Sequence, residues 1–428
     1  MDKILDPTRL AQLGQQLREE LNGSGQLAGD WVRRAAKALV EQMLTAEVDE
    51  TLGRVSYQRR DDQQVGYRNG YKSRSLKTAE GEVGVEVPQV RGLADGPYQS
   101  PIWQALGKRS PALQKLAVEM YARGLSTRDI EDLLSDLCQE QEDQEGTKLL
   151  SKSAVSRVTE VLWEEYEAFT KRELGEFDVV YLFCDAVYES LRRHGCGCGQ
   201  AILVTWAICS DGTRVLLHMT LGNKESNDAW LEHFRSLVSR NLPTPITVTT
   251  DGAPGLIKAV EAMWPEAERC RCWFHKIKNV RDKVPDEMRV QITRLLQDVR
   301  DAPDYDTGKA RVEELIEQYQ RKLPSAMACV ADDLEASLAH LKLPSLHRRM
   351  IRTTNLCERA FGEQRRRTKV IPRFFDEKSC LKLTFATLWR ASTRWRGLKF
   401  NEMERRQIQA YIRVRQAMGK KVRDLIAA

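Results

Sequence analysis

Residues 178–191 read DVVYLFCDAVYESL. β-Branched and aromatic side chains crowd this stretch, and a period of two places Tyr181, Phe183 and Asp185 on one face. It reads as a strand with one carboxylate among apolar neighbours. Two further strand-like runs follow, GQAILVTWAICS at 199–210 and TRVLLHMTLG at 213–222, joined by turns. An amphipathic helix then carries Ala229, Trp230, Leu231, Phe234 and Leu237. Pro243 and Pro245 stop it, and ITVTTD at 246–251 supplies a fourth strand. A second helix, with Pro254 near its start, leads to a short strand around 267–272.

The order β-β-β-α-β-α-β is that of an RNase H-like fold, with a mixed sheet. The change to β periodicity near residue 176 marks the clearest domain boundary. Residues 276–345, including MRVQITRLLQDV at 288–299 and KARVEELIEQYQRKL at 309–323, hold no strand signal. They predict an all-helical insertion before a final helix opening at Thr354. Upstream, residues 1–55 predict helix, with Trp31, Ala35, Leu39 and Met43 as the apolar stripe. LKTAEGEVGVEVPQV at 76–90 alternates Val83, Val85 and Val87 after a turn at Gly81, a hairpin signal bounded by Pro88. The preceding YRNGYKSRS reads as a polar, turn-rich loop.

From Ser110 to about Tyr166 the pattern is helix, turn, helix, loop, helix. Leu113, Leu116, Ala117 and Met120 form the first stripe, and Gly124 breaks it. Ser126 with Asp129 has capping-box spacing for a second helix, and a third opens at Ser151 or Ser153 and runs through Tyr166. This resembles a helix-turn-helix whose reading helix presents Lys152, Ser156 and Arg157; a plain helical hairpin has the same signature. The expected organisation is 1–75 helical, 76–109 a β-hairpin segment, 110–175 the DNA-binding region, 176–275 the first part of the core, 276–345 the insertion, and 346–428 the last catalytic helix and a basic tail. The fold class is thus an α/β core interrupted by helices, with a mainly helical N-terminal DNA-binding region and a basic helical C-terminal tail.

Composition narrows the function. The 428 residues exceed one ordinary core, and no apolar run is long enough to span a bilayer. The opening MDKILDPTRLAQLGQQLREELNGSG lacks an apolar signal core, so a cytoplasmic, nucleoid-associated protein is expected. Ten cysteines then read as reduced thiols. From residue 346 onward there are 22 Lys/Arg against 7 Asp/Glu, while the remainder carries more acids than bases. Such asymmetry suits a polyanion partner. In the tail after Leu381, apolar Phe385, Trp389, Trp395 and Phe400 are interspersed with cations, among them Arg394, Arg396 and Lys399.

Three acids stand out. A buried ionised Asp185 needs a salt-bridge partner or a cation. Asp251 ends the fourth strand in TTDGAPGL, where a ligand site or a helix cap would suit it, and Gly252 allows close backbone approach. Glu358 in TTNLCERAFGEQRRRTK falls in the first turn of the last helix, and Arg365 seven residues on returns to nearly the same face. Three carboxylates can hold two hard cations that activate a water or 3′-hydroxyl and stabilise the leaving oxygen. With six His and no P-loop, HExxH or nucleophile elbow, the chain offers no competing machinery.

Several stretches together carry a resemblance: YRNGYKSRSLKTAEGEVGVEVPQVR, YARGLSTRDI, FCDAVYESLR, TDGAPGL running into CWFHKIKNV, and RTTNLCERAFGEQRRRTK. The chain resembles the Mutator-type bacterial insertion-sequence transposases of the DDE class. The resemblance covers most of the length and implies Asp185, Asp251 and Glu358 as catalytic and metal-binding triad, Arg365 as basic partner, and Cys272 with His275 as the family's Cys-x-x-His. Asp251 lies 66 residues after Asp185, and Glu358 another 107 on, room for the insertion. Cys270 and Lys278 stand where the family more often has Gln and Arg, and HGCGCG is an unusual turn. That turn raises the question of a zinc site among His194, Cys196, Cys198, Cys270, Cys272 and His275, but its C-x-C spacing is not that of structural zinc. Implied too are two Mg²⁺ ions per active site, with Mn²⁺ a substitute, double-stranded DNA partners (terminal inverted repeats and target), a homodimer, and no membrane. The competing functions are an RNase H-like nuclease or resolvase and a domesticated DNA-binding protein. The triad argues against the last, and strand joining separates a transposase from a nuclease.

Overall fold

The computed structural model describes residue 15 and residues 28–61, 65–93, 96–139, 149–193, 196–222, 224–395 and 397–413. The expected helix before residue 28 therefore falls almost wholly outside the described residues. The chain divides into two compact units, 1–161 and 162–428.

In the first unit, helix α1 (Ala28–Leu52) packs on a hairpin of β1 (Tyr67–Thr78) and β2 (Gly81–Arg91). Its buried stripe is Val40, Leu44, Val48 and Leu52, set against Val83, Val85, Val87 and Val90. The expected stripe is one position off, with Trp31 and Leu39 each 37% exposed. Both sets satisfy helical spacing, and only the hairpin's alternating valines choose between them. YRNGYKSRS is a strand, not a loop, because β2 pairs with it from Tyr67↔Arg91 to Thr78↔Gly81. Pro88 does not end β2. It sits opposite Tyr71 where the register shifts between Arg68 and Tyr71, a place where a missing N–H is tolerated.

Among the described residues four more helices complete this unit: α2 (Pro101–Leu106), α3 (Pro111–Ala122), α4 (Thr127–Gln139) and α5 (Lys152–Val158). The last three enclose Leu113, Ala117, Ile130, Leu134, Leu150 and Val155. The Ser126–Asp129 capping box forms in both directions, at 3.1 and 2.9 Å. The expected third helix is broken, however. Buried Thr159 turns its hydroxyl back to the Ser156 carbonyl (3.0 Å), and a new helix, α6 (Val161–Lys171), begins.

The second unit is built on a mixed five-stranded sheet of β3 (Val179–Arg193), β4 (Cys196–Cys209), β5 (Arg214–Gly222), β6 (Thr247–Thr250) and β7 (Glu268–Arg271). The spatial order is β5-β4-β3-β6-β7, antiparallel across β5-β4-β3 and parallel across β3-β6-β7. Helices α7 (Asn227–Ser239) and α8 (Pro254–Met263) cover one face, where Leu182, Cys184, Leu203 and Val248 meet Trp230, Phe234, Leu256 and Trp264.

A separate core lies in the helices that follow β7. These are α9 (Trp273–Arg281), α10 (Asp286–Arg300), α11 (Tyr305–Tyr319), α12 (Pro324–Ala331) and α13 (Leu334–Leu338), closed by a 3₁₀ turn at Ala339–Lys342. Trp273, Ile292, Leu296, Val312, Leu315, Met327 and Leu338 form its centre. Two helices then return to the sheet: α14 (Ser345–Ile351) and α15 (Asn355–Thr368). Tyr181 on β3 bonds His347 of α14 (2.7 Å), and Thr249 on β6 donates to the Ile351 carbonyl (2.8 Å).

α15 runs along β3 in the same direction. Cys357 faces the Phe183 carbonyl, Gln364 and Thr368 both donate to Glu189, and Phe374 just beyond the helix pairs with Leu191. The expected basic tail is in part core. In α16 (Glu377–Arg394), Phe385 packs on Tyr166 and Phe169 with ring centroids 5.6 and 5.1 Å apart, and Leu383 and Leu388 are buried. Among the described residues no helix is long and apolar enough to cross a membrane.

Candidate functional site

The alternation of β3 sends Leu182 and Cys184 into the core beneath α7 and α8, and so turns Tyr181, Phe183 and Asp185 toward α14 and α15. Asp185 is 5% exposed. Its Oδ1 accepts from the Ala186 amide at 2.9 Å, and Oδ2 is buried. Burial, then the charge of Asp251, then that of Glu358, push this carboxyl well above the usual carboxylate range, against the pull of the Ala186 amide and of the Thr354 hydroxyl.

Asp251 follows directly on β6, whose Thr250 is in register with Cys184 next to Asp185. Its Oδ1 accepts from the Ala253 amide at 2.9 Å in a turn, and the cap position of α8 is Ala253 itself. The chain leaves β6 through Gly252 at φ +90°, a conformation that disfavours a side chain. The space beside it is taken: the guanidinium of buried Arg271 lies 0.9 Å from where a Cβ on residue 252 would stand.

Glu358 lies in the first turn of α15. Thr354 holds the cap position without capping through its side chain, because both its amide (3.2 Å) and its hydroxyl (3.4 Å) donate to the Cys272 sulfur. Cys272 in turn donates its own amide to Thr250 (2.8 Å), and the next amide, of Trp273, goes to the Arg352 carbonyl (2.8 Å). One cysteine therefore ties the end of β6 to the start of α15, which brings Glu358 beside the strand carboxylates. His275, one turn into α9, places Nε2 3.5 Å from Glu358 Oε1. Ligand atoms of Asp185, His275 and Glu358 all lie within 4.8 Å of one another. Burial lowers the His275 pKa, and the charges of Asp251 and Glu358 oppose that shift.

Two neighbours had no sequence signal. Glu225, in the loop before α7, is pushed up to about 7 by burial and then by the Asp251 charge, and Tyr188 donates to it at 3.3 Å. The next residue, Ser226, caps α7. Arg271 was hidden in a short strand whose alternation, Arg-Cys-Arg-Cys, looks like that of any edge.

The other expected residues are dispersed. Arg365 is exposed on α15, two turns or about 10 Å along the axis from Glu358, and its charge partly offsets the rise that burial imposes on the Glu189 pKa. Lys152, Ser156 and Arg157 are all exposed on α5, whose buried side is Ala154 and Val155. Lys399 is exposed; Arg394 is placed by its backbone alone, and Arg396 lies outside the described residues. Of the cysteine and histidine cluster, His194 also lies outside them, only the backbone of Cys196 and Cys198 is described, and Cys270 and Cys272 are buried.

Comparison with known proteins adds an independent line. The sequence is 30% identical over 366 residues to the transposase of insertion sequence element ISRM5 from Rhizobium meliloti, which covers 86% of this chain and 89% of the relative. It is 30% identical over 376 residues to the IS1081 transposase of Mycobacterium tuberculosis, covering 86% of each. With the transposase of IS256 in transposon Tn4001 from Staphylococcus aureus it shares 27% over 356 residues, 83% of this chain and 88% of the relative. Residues 8–397 match the family described as transposase, Mutator family. With nearly its whole length matched, and with relatives covered almost end to end, this chain belongs to the Mutator family of transposases.

Proposed function

We propose that this transposase cuts and joins DNA strands at Asp185, Asp251 and Glu358, and that the sheet beneath them is an RNase H-like core interrupted by the helical insertion. The observation that carries the reading is the buried carboxylate of Asp185, which has a ligand atom within 4.8 Å of those of Glu358 and His275. Repulsion from Asp251 and Glu358 makes that arrangement costly unless a cation joins it. The three carboxylates fit two divalent ions, and hard oxygen donors favour Mg²⁺ or Mn²⁺. Such ions, when bound, favour ionisation of the attacking water or 3′-hydroxyl and stabilise the leaving oxygen.

The chain's own residues supply position. Cys272 and Thr354 fix Glu358 against β6, and Arg271 packed on Gly252 holds the turn that aims Asp251. Arg365 takes a phosphate beyond the cluster. In the first step a water oxygen bonds to phosphorus as the P–O3′ bond breaks, which leaves a 3′-hydroxyl and a 5′-phosphate. In the second, that hydroxyl bonds to a target phosphorus and displaces its 3′-oxygen, so each bond formed matches a bond broken. The substrates are the terminal inverted repeats, read by residues 110–175 through Lys152, Ser156 and Arg157, and target duplex. Two ends must be held at once, and a homodimer does so.

The test is a cleavage and joining assay with the full chain in Mg²⁺. Alanine at Asp185, Asp251 or Glu358 is expected to remove both steps while duplex binding stays within about twofold, since ligands and basic surface are different residues. Near-normal joining by any one variant removes that residue from the triad. Cleavage without joining by the native chain would favour a nuclease or resolvase.

A further inference from the structure

Beside the first turn of α15, on the face of the sheet that carries Asp185, lies a cavity of about 640 Å³. Its volume is that of a small-molecule pocket. The walls divide by chemistry. Phe183, Leu356 and Phe400 make one side apolar, and Arg214, Arg359 and Lys399 bring cations to the other, with three more arginines around them. Among the described residues a single acid, Glu404, lines it, and that carboxylate is engaged by the Asn401 amide (2.6 Å) and faces His347 at 3.4 Å.

Arg300 and Arg352 pair with Asp301 outside the cavity, which leaves Arg214, Arg359 and Lys399 among the cations turned to it. The Nε of Arg214 is buried without a hydrogen-bond partner. Arg214 and Arg359 line the same space, and burial, then the charge of Arg359, lower the pKa of Arg214. Like charges held together over an apolar floor favour entry of an anion with a flat apolar part. A nucleotide has that form: phosphate for the arginines, base for Phe400 and Leu356. A stacked base pair does not, because its bases are covered on both sides by neighbours.

Position selects which nucleotide. Arg359 directly follows Glu358, and Phe183 lies two residues before Asp185 on the same face of β3, about 7 Å along the strand. We propose that this cavity receives one unpaired nucleotide of the DNA substrate, adjacent to the phosphate held at the carboxylates. The proposal rests on the DNA-cleaving reading above. It adds that strand separation at the cut is stabilised by protein contacts, as for enzymes that draw a nucleotide out of its stack.

The experiment titrates the full chain, with Ca²⁺ in place of Mg²⁺, against a blunt duplex and the same duplex carrying a short 3′ or 5′ single-stranded extension. The native chain is expected to prefer one extended duplex by about fivefold or more, the scale of one base stacked on protein. Arg359→Ala, at an exposed position, and Arg214→Gln should each erase that preference and leave blunt-duplex affinity within about twofold. Arg214→Lys, which keeps the charge, should retain most of it. No preference in the native chain, or a preference that survives in both variants, overturns the proposal. So does displacement of the extended duplex by thymidine monophosphate at the concentration of competing strand, which would make this a site for free nucleotides. Failure to bind any duplex would take down the DNA-cleaving reading as well, an outcome distinct from the others because blunt-duplex binding is measured alongside.

Discussion

Asp185 sits where an ionised carboxylate is poorly tolerated, and this has a pH signature. Its folded-state pKa is raised by burial and by Asp251 and Glu358. Between the ordinary carboxylate value and the raised one, the unfolded chain therefore binds fewer protons than the folded chain, and stability falls as pH rises. In metal-free buffer Asp185→Asn should then melt higher than the native protein at pH 7–8, with the gain fading as pH falls toward about 4. Added Mg²⁺ should raise the melting temperature of the native chain and hardly that of the variant, because an ion bound only by the folded state stabilises it by mass action. Thermal melts across pH with and without metal decide both; equal curves for the two proteins would show that Asp185 is already paired. The candidate acids were legible in the sequence because each breaks a local pattern: a carboxylate in an apolar strand, an Asp before Gly at a strand end, a Glu in a first helical turn. Glu225 and Arg271 break none, and only tertiary packing brings them to Asp251.

Among the elements, α15 shows what periodicity can and cannot say. The spacing of Glu358 and Arg365 predicts a shared face, and the helix forms over both. Yet two turns of rise separate them, and the Arg365 charge acts on Glu189, where it partly offsets the rise due to burial. We propose that its role is on the path of the DNA. Arg365→Ala should reduce joining at least about tenfold, the order of one charge-assisted phosphate contact, and more than Arg413→Ala on the exposed helical segment at 402–413. Equal losses in single-turnover assays would deny Arg365 a special place. α16 teaches the complementary lesson: its cations drew attention in the sequence, whereas Phe385, Leu383 and Leu388 bury it. A helix with basic residues on one side and aromatic residues on the other looks like a tail until its partner, here α6, is known. The α1 stripe failed for the same reason, since two apolar rows were available and β2 selected one.

At the scale of the whole molecule, the strand and helix order of the second unit was legible almost throughout, because β-branched runs and prolines punctuate it. The division of the chain at residue 161 was not, since α5 and α6 read as one helix until Thr159 interrupts them. We propose a division of labour in DNA binding, with base reading on α5 and sequence-independent affinity on the basic segment after 346. Arg157→Ala should then weaken binding to a terminal-repeat duplex more than to a scrambled one, whereas Lys399→Ala should weaken both alike and flatten the dependence of log K on log salt by about one unit. Titrations at several salt concentrations check this, and the opposite pattern would reverse the assignment. The pinning of Trp273 to Arg352 and of Cys272 to Thr354 has a last consequence. The helical excursion leaves the sheet and returns to it at neighbouring points, like a bight of rope closed by a single knot. Its length is uncoupled from the place of Glu358, so descendants of this gene can lengthen, shorten or exchange the excursion without disturbing the distance between the second acid and the third.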